Sequence, residues 1–216
     1  MTRPRLTRAQ RKEQTREHLL EAAREMFVQK GLAATSVEDI AEAAGYTRGA
    51  FYSNFGGKCE LLIELLRRDD DRARGNLHEI MEAGGTPGET KERAITYYSE
   101  QFLERECFPL WLEARLLACR DAAFQARFDA FRRETLGQVS AYIRMLTGRN
   151  GGPPALQADA LAIGLVSLCD GVQLFSMGNP QMVSDKVIQS VLAGFLSCVL
   201  SRRPEDAVGS IAPVPD

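Results

Sequence analysis

Between positions 44 and 55 the chain reads Ala-Gly-Tyr-Thr-Arg-Gly-Ala-Phe-Tyr-Ser-Asn-Phe, and Thr47, Arg48, Ser53 and Asn54 crowd hydrogen-bond donors into eight positions. Gly49 and Ala50 keep the segment slim. Donors on a narrow element suit recognition by close approach to a groove. They do not suit covalent catalysis. Histidine is scarce, with His18 and His78 alone, and the five cysteines (Cys59, Cys107, Cys119, Cys169, Cys198) form no Cys-x-x-Cys pair. A zinc site of ordinary ligand spacing cannot be built from such local pairs. No nucleophile stands beside a base and no phosphate loop is visible, so an all-helical enzyme is the weaker class and no cofactor is implied. Most of the cysteines lie among apolar helical residues and read as small core side chains in a reducing compartment.

Charge adds direction. Residues 1–16 carry Arg3, Arg5, Arg8, Arg11, Lys12 and Arg16 against Glu13 alone, a balance of +5, and a chain total of −2 leaves −7 for the remainder. A basic arm on an acidic body can orient a protein towards a polyanion, although a solvated tail has the same composition. An acidic body argues against an architectural protein that coats DNA along its whole surface. The longest apolar run, Ala160–Cys169, is far shorter than the roughly 18 residues of a membrane span. The Arg-rich start has no apolar core and cleavage site, so no signal peptide is expected. A cytoplasmic protein without membrane contact is the expectation.

The elements that must hold the donor cluster are helical, because no stretch alternates with a period of two between turn signals. Thr7 to Gln10 fits a capping box, followed by an apolar stripe of Leu19, Leu20, Ala23 and Phe27 that stops at Gly31. A second capping box begins at Thr35 or at Ser36; either starts a short helix through Ile40 closed by Gly45. Thr47 can cap a third short helix to about Tyr52, with Phe51 and Phe55 anchoring it, and a fourth helix is predicted from Lys58 to about Met81. Gly84-Gly-Thr-Pro-Gly88 is a strong break, and about five further helices follow: 89–107, 109–119, 121–147, 154–177 and 181–202. The Pro-rich stretch after Pro204 has little to bury and is expected to be disordered. The fold class is all-α with about nine helices.

Two short helices joined by Ala44-Gly45-Tyr46-Thr47 have the size of a helix-turn-helix. Residues 13–73 further resemble the DNA-binding domain of the tetracycline-repressor (TetR) family. The resemblance rests on Leu20-Glu-Ala-Ala23, Phe27, Gly31, Thr35-Ser-Val-Glu-Asp-Ile-Ala41, Ala44-Gly45, Gly49-Ala-Phe-Tyr-Ser-Asn-Phe55, Lys58 and Leu61-Leu62. Asn54 departs from a frequent His and Cys59 from a frequent acid. The resemblance implies a two-fold dimer on a palindromic operator, with the helix after Thr47 in the major groove. It further implies that Thr47, Arg48, Gly49, Tyr52 and Asn54 touch bases or backbone, and that Thr35 or Ser36 and Lys58 meet phosphates. Arg48 suits guanine, whose O6 and N7 one guanidinium can bond together; a phosphate contact without base reading is the alternative. Arg3, Arg5 and Arg8 would add phosphate contacts from the arm. The organisation expected is an arm at 1–12, the DNA-binding domain at 13–73 with its helix-turn-helix at about 36–55, an effector and dimerisation domain at 74–203, and a tail at 204–216.

The last two helices carry apolar residues on two faces. On the eighth, Leu161, Leu165, Leu168, Val172 and Phe175 form one stripe and Ile163, Val166 and Leu174 another; Val187, Val191 and Phe195 mark the ninth. Such helices build either a four-helix dimer interface, which the resemblance also implies, or a monomer core. The fifth to seventh helices are rich in bulky side chains, where the resemblance implies a pocket for a small-molecule effector not readable from the sequence. Phe102, Trp111, Phe124, Phe128 and Tyr142 would line it, with Arg115, Asp170 and Gln173 as polar anchors. Most of these are equally well explained as core or salt-bridge residues. The function expected is a ligand-responsive transcriptional regulator, a repressor by the habit of the family, with an activator of the same fold as alternative.

Overall fold

Three reciprocal or single side-chain caps explain where the first helices begin. In a computed structural model that describes residues 7–104, 107–149, 157–179, 181 and 183–201, Thr7 Oγ1 accepts from the Gln10 amide while Gln10 Oε1 accepts from the Thr7 amide. Ser36 and Asp39 repeat the exchange at 3.0 Å in both directions, which settles the start of the second helix at Ser36 and not Thr35. Thr47 Oγ1 accepts from the Ala50 amide and opens the third. The described residues form helices and no strand: α1 (Arg8–Ala34), α2 (Val37–Ala43), α3 (Arg48–Tyr52), α4 (Lys58–Glu82), α5 (Pro87–Glu104), α6 (Phe108–Ala118), α7 (Ala122–Arg149), α8 (Ala158–Gly178) and α9 (Asp185–Ser201).

Gly31 sits inside α1 at φ 81°, so that helix is broken there and its last turn is a separate piece. The chain divides into two units. One takes in Met1–Ala73 and Arg105–Phe131, the other Arg74–Glu104 and Arg132–Asp216. The division therefore adds α6 and the start of α7 to the N-terminal helices. Their shared core joins Leu19, Ala23 and Phe27 of α1, Ile40 of α2, Phe51 of α3, Leu61, Leu62 and Leu66 of α4, and Trp111, Phe124 and Phe131. Each Leu, Ile or Phe among them contributes about 1.5–3 kcal/mol when fully buried.

The second unit holds two smaller clusters, Ile143 with Ala158, Leu161 and Ala162, and Leu165 with Cys169, Ile188 and Leu192. Gly164 lets α8 approach α9 closely, since a Cβ there would lie 3.3 Å from the Phe195 ring. Helix α8, with 21 residues and a mean hydropathy of 1.6 over its best window, is long and apolar enough to cross a membrane by length and composition. The ten-residue run in the sequence understates it, because the charges flanking that run, Asp159 and Asp170, are too few to offset the apolar residues around them. Leu161, Ala162, Leu165, Cys169 and Gln173 of this helix are buried within the chain.

Candidate nucleic-acid interface

The turn between α2 and α3 follows from one glycine. Gly45 takes φ 75°, its amide donates to Glu42 O and the Tyr46 amide donates to Ala41 O, the paired bonds that close a helix through a left-handed residue. Tyr46 is tied to α1 by His18 Nδ1, 3.0 Å from its hydroxyl. Phe51 and Phe55, their rings 5.8 Å apart, are buried and hold α3 on the neighbouring long helices, as the spacing predicts. Arg16 finishes the support. Its guanidinium lies 4.3 Å over the Phe55 ring, donates to Asn54 O and pairs with Glu64 of α4 at 3.1 Å. Of the basic residues counted in the arm, this one works inside the fold.

What α3 presents outward is Thr47, Arg48, Gly49, Tyr52 and Ser53, all exposed. Arg48 is 65% exposed and pairs with Glu38 of α2 at 3.0 Å, and its guanidinium lies 5.5 Å from the Tyr52 ring centre. The Tyr52 hydroxyl first, then Glu38, hold its pKa above the usual value. The guanidinium is therefore a fixed positive charge kept near the surface of α3. Glu38 was not anticipated from the sequence, because it lies ten positions away on another helix and no periodicity links the two.

Other candidates are placed differently. Asn54 donates Nδ2 to Ala50 O at 2.8 Å, so its side chain closes α3. Thr35 is buried and its hydroxyl donates to Gly31 O. The Lys58 ammonium donates to Leu32 O and Thr35 O at the end of α1. Arg8 is exposed at the first residue of α1, while Arg3 and Arg5 lie outside the described residues. The paired bonds of Ser36 hold the Asp39 carboxyl below its usual pKa. Its contribution is therefore present above the ordinary carboxylate pKa and is lost as pH falls through the depressed value. Ser36→Ala should cost about 1 kcal/mol of stability in denaturant titration at pH 7, with a smaller loss once the pH has fallen through the depressed value.

The residues singled out for an effector pocket do not share one unit. Trp111, Phe124 and Phe128 are buried in the N-terminal core, with the Trp111 indole donating to Asp69 at 2.9 Å, and Arg115 lies on the same helix as Trp111. Tyr142, Asp170 and Gln173 belong to the other unit, where Asp170 faces Arg132 at 3.9 Å; the Phe102 side chain lies outside the described residues. Neither amide atom of buried Gln173 has a hydrogen-bond partner among the described residues. Of the residues expected at a dimer surface, Leu161 and Leu165 are buried in the clusters above. Leu168, Val172 and Phe195 pack partly against the second of them, Val191 is half-buried, and Val187 is exposed. Ile163, Leu174, Phe175 and Met177 are the large apolar side chains that α8 leaves in solvent.

Comparison with known proteins gives this arrangement relatives. Residues 19–65 match the model described as bacterial regulatory proteins, tetR family, and residues 96–201 match the C-terminal model of BetI-type transcriptional repressors. The chain is 38% identical over 81 residues to the HTH-type transcriptional repressor KstR2 of Rhodococcus jostii, a stretch covering 38% of this chain and 40% of that protein. The match thus spans less than half of that relative. Among solved structures, one described as a TetR-family transcriptional regulator from Rhodococcus sp. superposes with a TM-score of 0.72 at 22% identity, covering 88% of this chain and 100% of that one. A transcriptional regulator from Saccharomonospora viridis, solved in complex with choline, gives 0.67 at 20% identity over 86% and 96% of the two chains. These two likenesses show the fold.

Proposed function

The chain belongs to the TetR family of bacterial regulatory proteins, and on that premise we propose that it is a cytoplasmic repressor released from a palindromic operator by a small molecule. The observation that carries the reading is the outward face of α3, where Thr47, Arg48, Gly49 and Tyr52 stand exposed on a helix whose opposite side is locked by Phe51. Recognition needs side chains free to reach base edges on a support that does not move. Arg48 would read guanine and Thr47 and Tyr52 would contact the backbone. The Lys58 and Thr35 side chains, being used internally, would act by shaping the α1–α2 corner. Residues 13–73 would form the DNA-binding part and 74–203 the effector and dimerisation part, with Arg3, Arg5 and Arg8 adding sequence-independent phosphate contacts.

Release would be mechanical. Helix α4 runs unbroken from Lys58 to Glu82, with the part up to Ala73 in one unit and the part from Arg74 in the other. An effector that favours one tilt of α4 shifts the spacing of the two recognition helices in a dimer and depopulates the DNA-competent state. The buried amide of Gln173, which has no hydrogen-bond partner among the described residues, supports a ligand in the C-terminal part, since such a group is costly to leave unsatisfied. Asp170 and Tyr142 on the same unit would help orient it.

The test is Arg48→Ala. It should cost about 1–3 kcal/mol on the specific site and far less on random DNA, as measured by competition titration. Equal losses on both would reduce Arg48 to a phosphate contact.

A further inference from the structure

A carboxylate from α6 reaches the backbone at the broken end of α1. Glu113 Oε2 accepts from the Leu32 amide at 2.6 Å, across 81 positions of sequence. Its other oxygen lies where a Cβ on Gly31 would be, 2.8 Å away, and Gly31 itself sits at φ 81°. So the break at Gly31 does two things. It frees the Leu32 amide from the helix ladder, and it leaves room for a carboxylate to stand against the backbone. The Lys58 ammonium of α4 also binds this segment, at the carbonyls of Leu32 and Thr35. The four residues 32–35 are thus gripped by an anion on an N–H and a cation on two C=O groups, both charge-assisted bonds.

Ser36, the cap of α2, follows immediately, and α2 is tied to α3 by the closed turn at Gly45. The corner therefore contributes to the pose of α3, beside its Phe51 and Phe55 anchors. No residue of the donor cluster touches Glu113, and nothing in the local sequence marks it. We infer that Glu113 is a positioning residue for DNA binding, holding the α1–α2 corner onto α6 so that the helix-turn-helix is presented in one pose. The inference rests on the DNA-binding reading above.

The test compares Glu113→Ala and Glu113→Gln in the full chain, on a duplex from the intergenic region upstream of its own coding sequence and on a random duplex. The glutamine keeps an acceptor oxygen; the alanine does not. Glu113→Ala should weaken specific binding about 3- to 30-fold with little change on random DNA, and Glu113→Gln should restore most of it. Hydrogen exchange should quicken at the amides of residues 32–36 in the alanine variant and stay slow in the glutamine variant. If Glu113→Ala does not fold, Glu113→Asp, one methylene too short to reach, takes its place. Unchanged specific affinity in the alanine variant, or equal losses in alanine and glutamine, overturns the inference. Failure of the unaltered chain to prefer the upstream duplex would instead overturn the DNA-binding reading.

Discussion

A chain carrying both Phe175→Asp and Val187→Glu is expected to be a folded monomer that no longer holds its operator. Phe175 is 71% exposed, Ile163 55%, Leu174 53%, Met177 51% and Val187 43%. Ile163, Leu174 and Met177 fall within one line of α8, because positions 11 and 14 apart return to nearly the same face. Monomers rarely leave so many large apolar side chains of one helix in solvent. Among the described residues, Gly171 and Gly194 have no neighbouring atom within 4 Å of an added Cβ, which leaves α8 and α9 open to another helix. A carboxylate forced into such an interface loses its hydration without a partner, at a cost of several kcal/mol per ion. Light scattering should then report half the mass of the unaltered protein. Operator affinity should fall by about 100-fold or more, because two half-sites can no longer be held at once. Phe195→Asp is a poorer probe, since Phe195 packs against the Leu165 cluster and its loss would also damage the fold. A dimer mass for both the single and double variants would reject this surface.

Phe51→Ala should be the most damaging single change to the DNA-binding part. Phe51 is fully buried, packs edge-on against Tyr52 at 5.5 Å and against Phe55 at 5.8 Å, and joins α3 to the core around Leu61 and Leu62. A five-residue helix has no stability of its own and depends on this burial. Removing the ring should cost about 3–5 kcal/mol, read in a denaturant titration followed by circular dichroism. Specific DNA binding should vanish while the helix content of α8 and α9 is largely retained. A loss under about 1 kcal/mol would mean that α3 is held by something other than its aromatic anchor.

The local devices were legible in the sequence because each is closed within four residues. Thr7 with Gln10 and Thr47 before a slim helix carry their partners nearby, whereas Ser36 with Asp39 and Thr35 with Glu38 fit the same pattern and only the structure separates them. Gly45 and Gly31 were legible for the same reason, since a left-handed residue ends a helix wherever it stands. Long-range partners were not legible. The sequence alone assigns Lys58 to a phosphate by position in a motif, yet its ammonium is used by carbonyls of α1 more than twenty positions away. Arg48–Glu38 and Glu113–Leu32 likewise depend on how helices are juxtaposed, which periodicity does not encode. The two apolar stripes of α8 were both visible, but only packing shows that Leu161 and Leu165 are buried and Ile163 and Leu174 are exposed.

Sequence-specific operator binding is tested most directly by a salt-dependent competition titration of the full chain. Duplexes tiling the region upstream of its own coding sequence would be set against random duplexes of equal length. One upstream segment should be bound at least about 1,000-fold more tightly than random DNA, with both affinities falling as salt rises. Equal affinity for every duplex at every salt concentration would contradict it.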